Sequence, residues 1–334
     1  MAHLLVTGGA GYLGSHTLRA LRRAGHSVVV VDDLRAGQSR FVEGVPLWRH
    51  DAGDRERLRE LFTRYGPFDG VLHFAASISV GESVRQPLTY WRNNALGSLQ
   101  LIDASLDHGV RAFVFSSTAA VYGLPEFQPI PEASPVSPIN PYGASKAAVE
   151  QMLGDVERAH GMRSAALRYF NACGADPAGG LGECHEPETH LIPIALEAAA
   201  GLRSELVVYG TDYPTRDGTC IRDYVHVSDL ADAHVRAVEA LLAGGPGGPY
   251  NLGTGRGRSV REVLDAVAAV VGRPVPWREG PRREGDAAEL VADASRFRRD
   301  FGWEPVRSDL DTILRTAWSW LRSSKGIEEP GGKT

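Results

Sequence analysis

Two hydrophobic periods alternate along the first half of the chain. His3 to Thr7 is a short apolar run that leads into Gly8-Gly9-Ala10-Gly11-Tyr12-Leu13-Gly14. Helical spacing then carries through Leu18, Leu21 and Arg22 to Gly25, and a second apolar run, Val28 to Val31, ends in Asp32 and Asp33. Leu47 to His50 predicts a short strand before Asp51, Arg55 to Arg64 a polar-faced helix, and Gly70 to Phe74 a strand followed by Ala75 and Ala76. Leu88 to His108 has helical spacing. Ala112 to Ser116 reads as a strand running into Ser117-Thr118, and a proline-rich loop from Pro125 to Pro141 precedes a helix over Tyr142 to Ala159. Ser164 to Tyr169 returns as a strand. Such alternation implies a parallel sheet covered by helices on both faces. The expected fold class is therefore α/β, a Rossmann-type doubly wound sheet.

The second half changes texture. It has a glycine-rich stretch from Gly244 to Gly248, scattered prolines, a short strand from Leu206 to Tyr209, and helices over Val227 to Leu242, Ser259 to Val271 and Ser308 to Leu321. The Val227 helix is expected to pack back on the first unit. The predicted division is a nucleotide-binding domain over 1–168 and 215–243 and a smaller, discontinuous α/β substrate domain over 169–214 and 244–322. The composition of 323–334 suits a disordered tail. The chain contains no internal repeat.

Strand, glycine turn, helix, strand and acid is the order a dinucleotide site requires. The glycines let the backbone turn tightly and approach a pyrophosphate, whose charge faces the amides of a helix start. An acid at the end of the second strand accepts from adenosine ribose hydroxyls and repels a 2′-phosphate, so NAD is favoured over NADP. Small residues at Ala75 and Ala76 would let the cofactor lie close to the backbone.

Composition narrows the class. Hydrophobic residues make up 43% of 334 and the formal charge is −5, which argues against general attraction to nucleic acid. No apolar run approaches the ~20 residues of a membrane helix, and no signal peptide precedes the first strand. Cys173, Cys184 and Cys220 show no disulfide-like spacing, as expected of a soluble cytoplasmic protein. Cys184-His185 and His190 lack a second paired motif and read as loop residues, so no metal is expected.

Arginine carries nearly all the positive charge. Outside the tail the only lysine is Lys146, four positions after Tyr142. An ammonium can deprotonate and sit close to a phenol oxygen, whereas a guanidinium stays charged and forked. On a helix the two side chains share a face. That ammonium, with the charge of an oxidised nicotinamide, is expected to lower the phenol from about 10 toward neutrality and make it a general base. Thr118 ends the neighbouring strand, where its hydroxyl would reach the same oxygen or simply cap a turn.

At these residues the chain resembles the extended short-chain dehydrogenase/reductase superfamily. The motifs are Thr7 to Gly14, Ser116-Ser117-Thr118 and Tyr142-Gly143-Ala144-Ser145-Lys146. Further stretches are similar to the UDP-glucose 4-epimerase family: His73 to Ala76, Val80 to Ser83, Asn93-Asn94, Val121 to Gly123, Arg168 to Asn171, Arg222 to Val227, Tyr250 to Gly253 and Arg282 to Asp286. The resemblance spans nearly the whole chain. It implies NAD contacts from Gly8, Gly11, Tyr12, Leu13, Gly14, Asp32, Asp33, Leu34, Asp51, Ala52, Phe74, Ala75, Ala76, Asn93, Ser116, Tyr142, Lys146 and Tyr169. It implies UDP-sugar contacts from Thr118, Tyr142, Phe170, Asn171, His190, Leu191, Val207, Tyr209, Arg222, Arg283, Asp286 and Leu290. Two arginines suit a diphosphate; otherwise Arg222 would pair with Asp223 and Arg283 lie in a surface basic run.

The implied activity interconverts UDP-glucose and UDP-galactose. Tyr142 takes the proton of the sugar 4-hydroxyl, C4 is oxidised transiently, and the 4-keto sugar turns over before reduction from its other face. A homodimer built on the Leu88 and Tyr142 helices is also implied. Dehydratases of this fold resemble Thr-Asp-Glu at the strand end, where this chain has Thr118-Ala119-Ala120. A net dehydrogenase and a non-catalytic nucleotide sensor are the other rivals. Three positions depart from the family pattern: Ile78 where bacterial members have lysine, His190 where asparagine is common, and Leu290 where hexose-restricted members have tyrosine. A leucine there leaves room for UDP-N-acetylglucosamine, and UDP-glucuronate stays open.

Overall fold

The computed structural model describes residues 1–327 of the chain. Seven strands form one parallel sheet: β1 (His3–Thr7), β2 (Ser27–Val31), β3 (Leu47–Trp48), β4 (Gly70–His73), β5 (Ala112–Thr118), β6 (Arg163–Tyr169) and β7 (Gly248–Leu252). Their order is β7-β6-β5-β4-β1-β2-β3. The chain reverses direction across the sheet between β1 and β4, the switch point at which doubly wound folds collect ligands.

Strict alternation places both sheet faces in apolar cores. Leu4, Val6, Val28, Val30, Val114 and Leu167 point to one side, against α1 (Tyr12–Arg23) and a later helix, Val227–Leu242. Leu5, Val29, Val31, Phe113, Phe115 and Ala166 point to the other. There they meet α2 (Arg55–Tyr65), α3 (Gly97–Asp107) and α4 (Pro141–His160). A strand buried on both faces reads as a near-continuous apolar run, which is why the middles of these strands are rich in Val, Leu, Phe and Ala. Asp54 caps α2, and Asn140 caps α4 by accepting from the Gly143 amide at 2.9 Å, with Pro141 at the first helical position. The helix Val227–Leu242, α5, packs on the first unit as expected.

A second core lies among helices Leu191–Ala199, Val260–Val271 and Leu310–Lys325, with Ile192, Leu196, Val263, Val267, Ile313 and Leu314 at its centre. Short strand pairs flank it. Asn171–Cys173 lies parallel to Tyr224–His226, and Leu206–Tyr209 to Trp277–Gly280. Ile221–Arg222 sits between Arg258–Ser259 and Glu289–Leu290.

Three expectations are corrected. Residues 248–252, assigned from sequence to the substrate unit, are the edge strand of the large sheet, with Tyr250 and Leu252 fully buried in its core. The last helix runs to Lys325 and closes on Gly326 in the left-handed region, so 323–327 are ordered rather than tail. The rest of the expected tail lies outside the described residues. The segment expected as one helix from Leu88 is helical over Pro87–Tyr90 and Gly97–Asp107, but Trp91–Leu96 between them is wound more widely, as a π turn. Among the described residues no helix is long and apolar enough to cross a membrane.

Candidate active site

Most of the residues expected at the cofactor gather at the carboxyl ends of the sheet strands. The turn after β1 makes close approaches that only glycine allows. A Cβ on Gly8, whose φ is 68°, would lie 2.6 Å from the Ala75 nitrogen, and one on Gly14 would lie 2.1 Å from the Gly8 oxygen. Phe74 donates its amide to the Thr7 carbonyl at 3.0 Å, so the turn and the Phe74-Ala75-Ala76 segment run against each other. Among the described residues no side chain caps α1 at Gly11, which leaves its first-turn amides for a bound anion. Leu13 is buried beneath the turn, while the Tyr12 hydroxyl reaches across to the Gly174 carbonyl at 2.5 Å.

Asp32 is buried at the end of β2. Its carboxylate accepts from the Ala10 and Leu34 amides, both at 2.9 Å, and so locks the glycine turn to the loop. Leu34 is held at φ 62°, an unusual value for a large side chain. Burial raises the Asp32 carboxyl above its ordinary range and the two amide bonds oppose that shift. Asp33, Asp51 and Asn93 meet around Arg35, a residue the sequence did not single out. Its guanidinium is 2.5 Å from Asp33, 3.2 Å from the Asn93 side-chain Oδ1 and 3.8 Å from Asp51. Ala52 is buried beside them. The glycine cradle, the uncapped helix start and the buried acid together fit a dinucleotide: pyrophosphate against amides, ribose against carboxylate.

The π turn presents Asn93 and Asn94 one after the other. Asn94 is buried and accepts from the Ser77 amide at 2.8 Å while donating to Ser77 O and Ser145 Oγ. It starts a chain that sequence reading missed. Ser98 Oγ donates to the Asn94 carbonyl and lies 2.7 Å from His73 Nε2; His73 Nδ1 lies 2.6 Å from Thr7 Oγ1. Burial, and then the nearby Lys146 charge, push His73 down to about 3, so it stays a neutral link. This buried chain joins the end of β1 to the start of α4.

Thr118 lies beside Tyr142, and Lys146, one turn along the same helix, is tied to the strand that ends in Thr118. Lys146 is 2% exposed; its ammonium donates to the Ser116 carbonyl at 2.8 Å and sits 4.8 Å from the Phe115 ring centre. Thr118 Oγ1 accepts from the Ala120 amide at 3.1 Å, the turn-capping role considered for it, and is near enough to the Tyr142 phenol to favour its ionised form. Ser116 Oγ is hydrogen-bonded to the Tyr169 hydroxyl. Burial raises the Tyr142 phenol above 10.0, with only the Thr118 bond opposing it. Burial also brings Lys146 down to about 7 against the pull of Glu150.

Glu150 lies one turn beyond Lys146 on α4 and was not anticipated. It is clamped by Arg168 at 2.5 to 3.1 Å, and Ser117 Oγ also donates to it. Arg168 in turn donates to the Tyr122 hydroxyl at 2.9 Å, and Tyr122 to Asn251 of β7 at 2.7 Å. The signal was present in sequence as the fourth residue after Lys146, but nothing local marked it as buried.

On the substrate side, Arg222 pairs with Asp286 and not with Asp223. The Asp223 carboxylate is buried and takes the Thr254, Gly255 and Ala292 amides. Leu290 lies in register with Arg222. The Arg283 guanidinium stacks 4.0 Å from the Tyr209 ring centre, on the strand that carries Val207. Phe170 and Leu290 pack around buried Val121, Tyr122 and Ile130, and the Asn171 amide donates to the Asp223 carbonyl at 3.0 Å. Leu191 opens its helix against the second core. The His190 ring, expected at substrate, contacts Glu183 and Glu188.

Residues 4–253 match the NAD dependent epimerase/dehydratase family, and the chain belongs to it. More narrowly, it is similar to the UDP-glucose 4-epimerase of Rhizobium meliloti (strain 1021), 52% identical over 318 residues that cover 95% of this chain and 96% of that one. It is 54% identical over 321 residues to that of Azospirillum brasilense, covering 96% and 92%. The crystal structure of UDP-glucose 4-epimerase from Brucella ovis in complex with NAD is 49% identical, covers 96% of this chain and 98% of its own, and aligns with a TM-score of 0.92.

Proposed function

We infer that this chain is an NAD-dependent 4-epimerase that interconverts UDP-glucose and UDP-galactose. The observation that carries the reading is Tyr142 beside Thr118, with Lys146 one turn along the same helix anchored to β5, in a sheet whose first turn admits only glycine. Bound NAD supplies the two-electron acceptor and donor at C4 of the sugar. Tyr142 takes the proton of the 4-hydroxyl and returns it, so the phenol must exchange a proton without leaving its place. Thr118 fixes the phenol oxygen, and its O–H steadies the phenolate. Lys146 anchors to the β5 carbonyl one turn along the helix from Tyr142. Burial raises the free phenol, so part of the charge that ionises it arrives with the oxidised cofactor.

The large sheet with α1 to α5 holds the cofactor, and the second core holds UDP. Arg222 and Arg283 meet the diphosphate and Asp286 the ribose, with Tyr209 as a stacking platform. Contacts concentrated on the nucleotide leave the sugar free to turn over. The three thiols are unpaired, which suits a reducing cytoplasm. The chain acts as a homodimer. Val84, Leu88, Trp91, Leu96 and Leu99 are exposed along the helices from 80 to 107, an apolar stripe that a second copy would cover. Trp91→Glu is expected to shift the sedimenting species from dimer to monomer.

The test incubates purified protein with UDP-glucose and no added NAD. Formation of UDP-galactose, with no build-up of the reduced-nicotinamide absorbance, is the expected result. Build-up of that absorbance in proportion to sugar consumed makes the protein a net dehydrogenase, and no turnover makes it a sensor. UDP-N-acetylglucosamine belongs in the same panel, because Leu290 beside Tyr122 and Phe170 is smaller than a tyrosine.

A further inference from the structure

The loop in front of helix Leu191–Ala199 brings four side chains together that sequence reading left as ordinary loop residues. Glu183, His185, Glu188 and His190 each direct one ligand atom into a space where all four lie within 4.8 Å of one another. His190 Nδ1 is 2.9 Å from Glu183 and 2.8 Å from Glu188; His185 Nδ1 is 3.1 Å and 3.7 Å from the same two carboxylates. An imidazole Nδ1 carries at most one hydrogen. Two hydrogens therefore face four nitrogen–oxygen contacts.

A shared cation resolves that crowding. Tetrahedral zinc with ligands at about 2.0–2.2 Å sets neighbouring ligand atoms roughly 3.3–3.6 Å apart; three separations here, 2.8, 2.9 and 3.1 Å, are shorter, and one, 3.7 Å, is longer. We propose that Glu183, His185, Glu188 and His190 form a structural site for one divalent transition metal, with zinc the ion that suits two imidazoles and two carboxylates. Four protein ligands close the coordination sphere, which marks a structural role rather than a catalytic one.

The surroundings are those of a built site. The two carboxylate side chains are only 7% and 9% exposed. Glu188 also accepts the Thr189 and His190 amides at 2.7 and 2.8 Å, which orients its carboxylate. Trp320 donates to the Glu183 carbonyl at 2.8 Å, and its indole packs so closely on Gly182 that a Cβ there would lie 2.3 Å away. The His185 ring meets Tyr12 edge-on, with centres 6.3 Å apart. The ion thus pins the loop between the head of α1 and the helix that begins at Leu191. His190 becomes a ligand rather than a sugar contact.

Untagged full-length protein, stripped with a chelator and titrated with Co²⁺ alone, tests this. One equivalent should bind with the intense visible bands of tetrahedral cobalt, and one equivalent of Zn²⁺ should abolish them. His185→Gln combined with Glu188→Gln should weaken binding on the order of 100-fold or more, with circular dichroism unchanged. Cys184→Ser should leave binding intact. Weak octahedral-type absorbance without stoichiometry in the parent chain overturns the proposal whatever the variants do. Full affinity in the double variant, or loss of binding in Cys184→Ser, overturns it equally, and the cluster is then an ion-pair network.

Discussion

Tyr142→Phe is expected to lower 4-epimerisation by roughly 10²- to 10⁴-fold, the range for losing a positioned general base. The ring packs as before, because the substitution removes one oxygen from a buried side chain whose backbone is fixed by the Asn140 cap and the Ser145 bond to the Tyr142 carbonyl. What disappears is the oxygen that faces Thr118. The measurement is steady-state turnover of UDP-glucose together with the NAD content of the purified variant. NAD content should match that of the parent, because the glycine turn and Asp32 are untouched. Near-normal turnover removes Tyr142 as the base, and loss of bound NAD makes the phenol a cofactor ligand first.

The other large effect falls on stability. Arg168→Met leaves Glu150 without its partner in a site where the two side chains are 4% and 10% exposed. Breaking a buried pair from one side costs about 3–5 kcal/mol, a large share of the about 5–15 kcal/mol that holds a domain folded. Denaturant unfolding should show the midpoint fall accordingly. Adding Glu150→Gln should recover part of the loss, since the stranded charge is gone. A midpoint that barely moves means the pair is not buried as described. The same substitution also bears on chemistry: Glu150 is the acid that opposes the depressed Lys146, so Arg168 reaches the active site through two side chains.

The first six strands, the glycine turn and the acid after β2 were legible because each leaves a local mark: a continuous apolar run, a glycine where no Cβ fits, a carboxylate at a strand end. The Tyr142 and Lys146 pair was legible from spacing, and from lysine being so rare in this chain. β7 was not. Gly248-Pro249-Tyr250-Asn251-Leu252 follows a run of glycines, and its only claim to be a strand is the β6 edge it meets. The widened turn at Trp91–Leu96 leaves no mark in the hydrophobic pattern, since its helical spacing is nearly kept. His73, Asn94, Glu150 and Arg168 are polar residues whose burial is decided by elements far away in sequence. The desolvation that raises the Tyr142 phenol in the cofactor-free chain is likewise something spacing cannot report.

The late arrival of β7 has a consequence for how the protein is made. Six strands of the sheet are complete once Tyr169 has emerged from the ribosome, yet β6 keeps an open flank until Leu252 follows. During that interval its unpaired amides and carbonyls are a template for any other extended peptide. A version truncated after α5 would keep that flank permanently and tend to aggregate. The residues that follow α5 thus close the sheet that the first half of the chain begins.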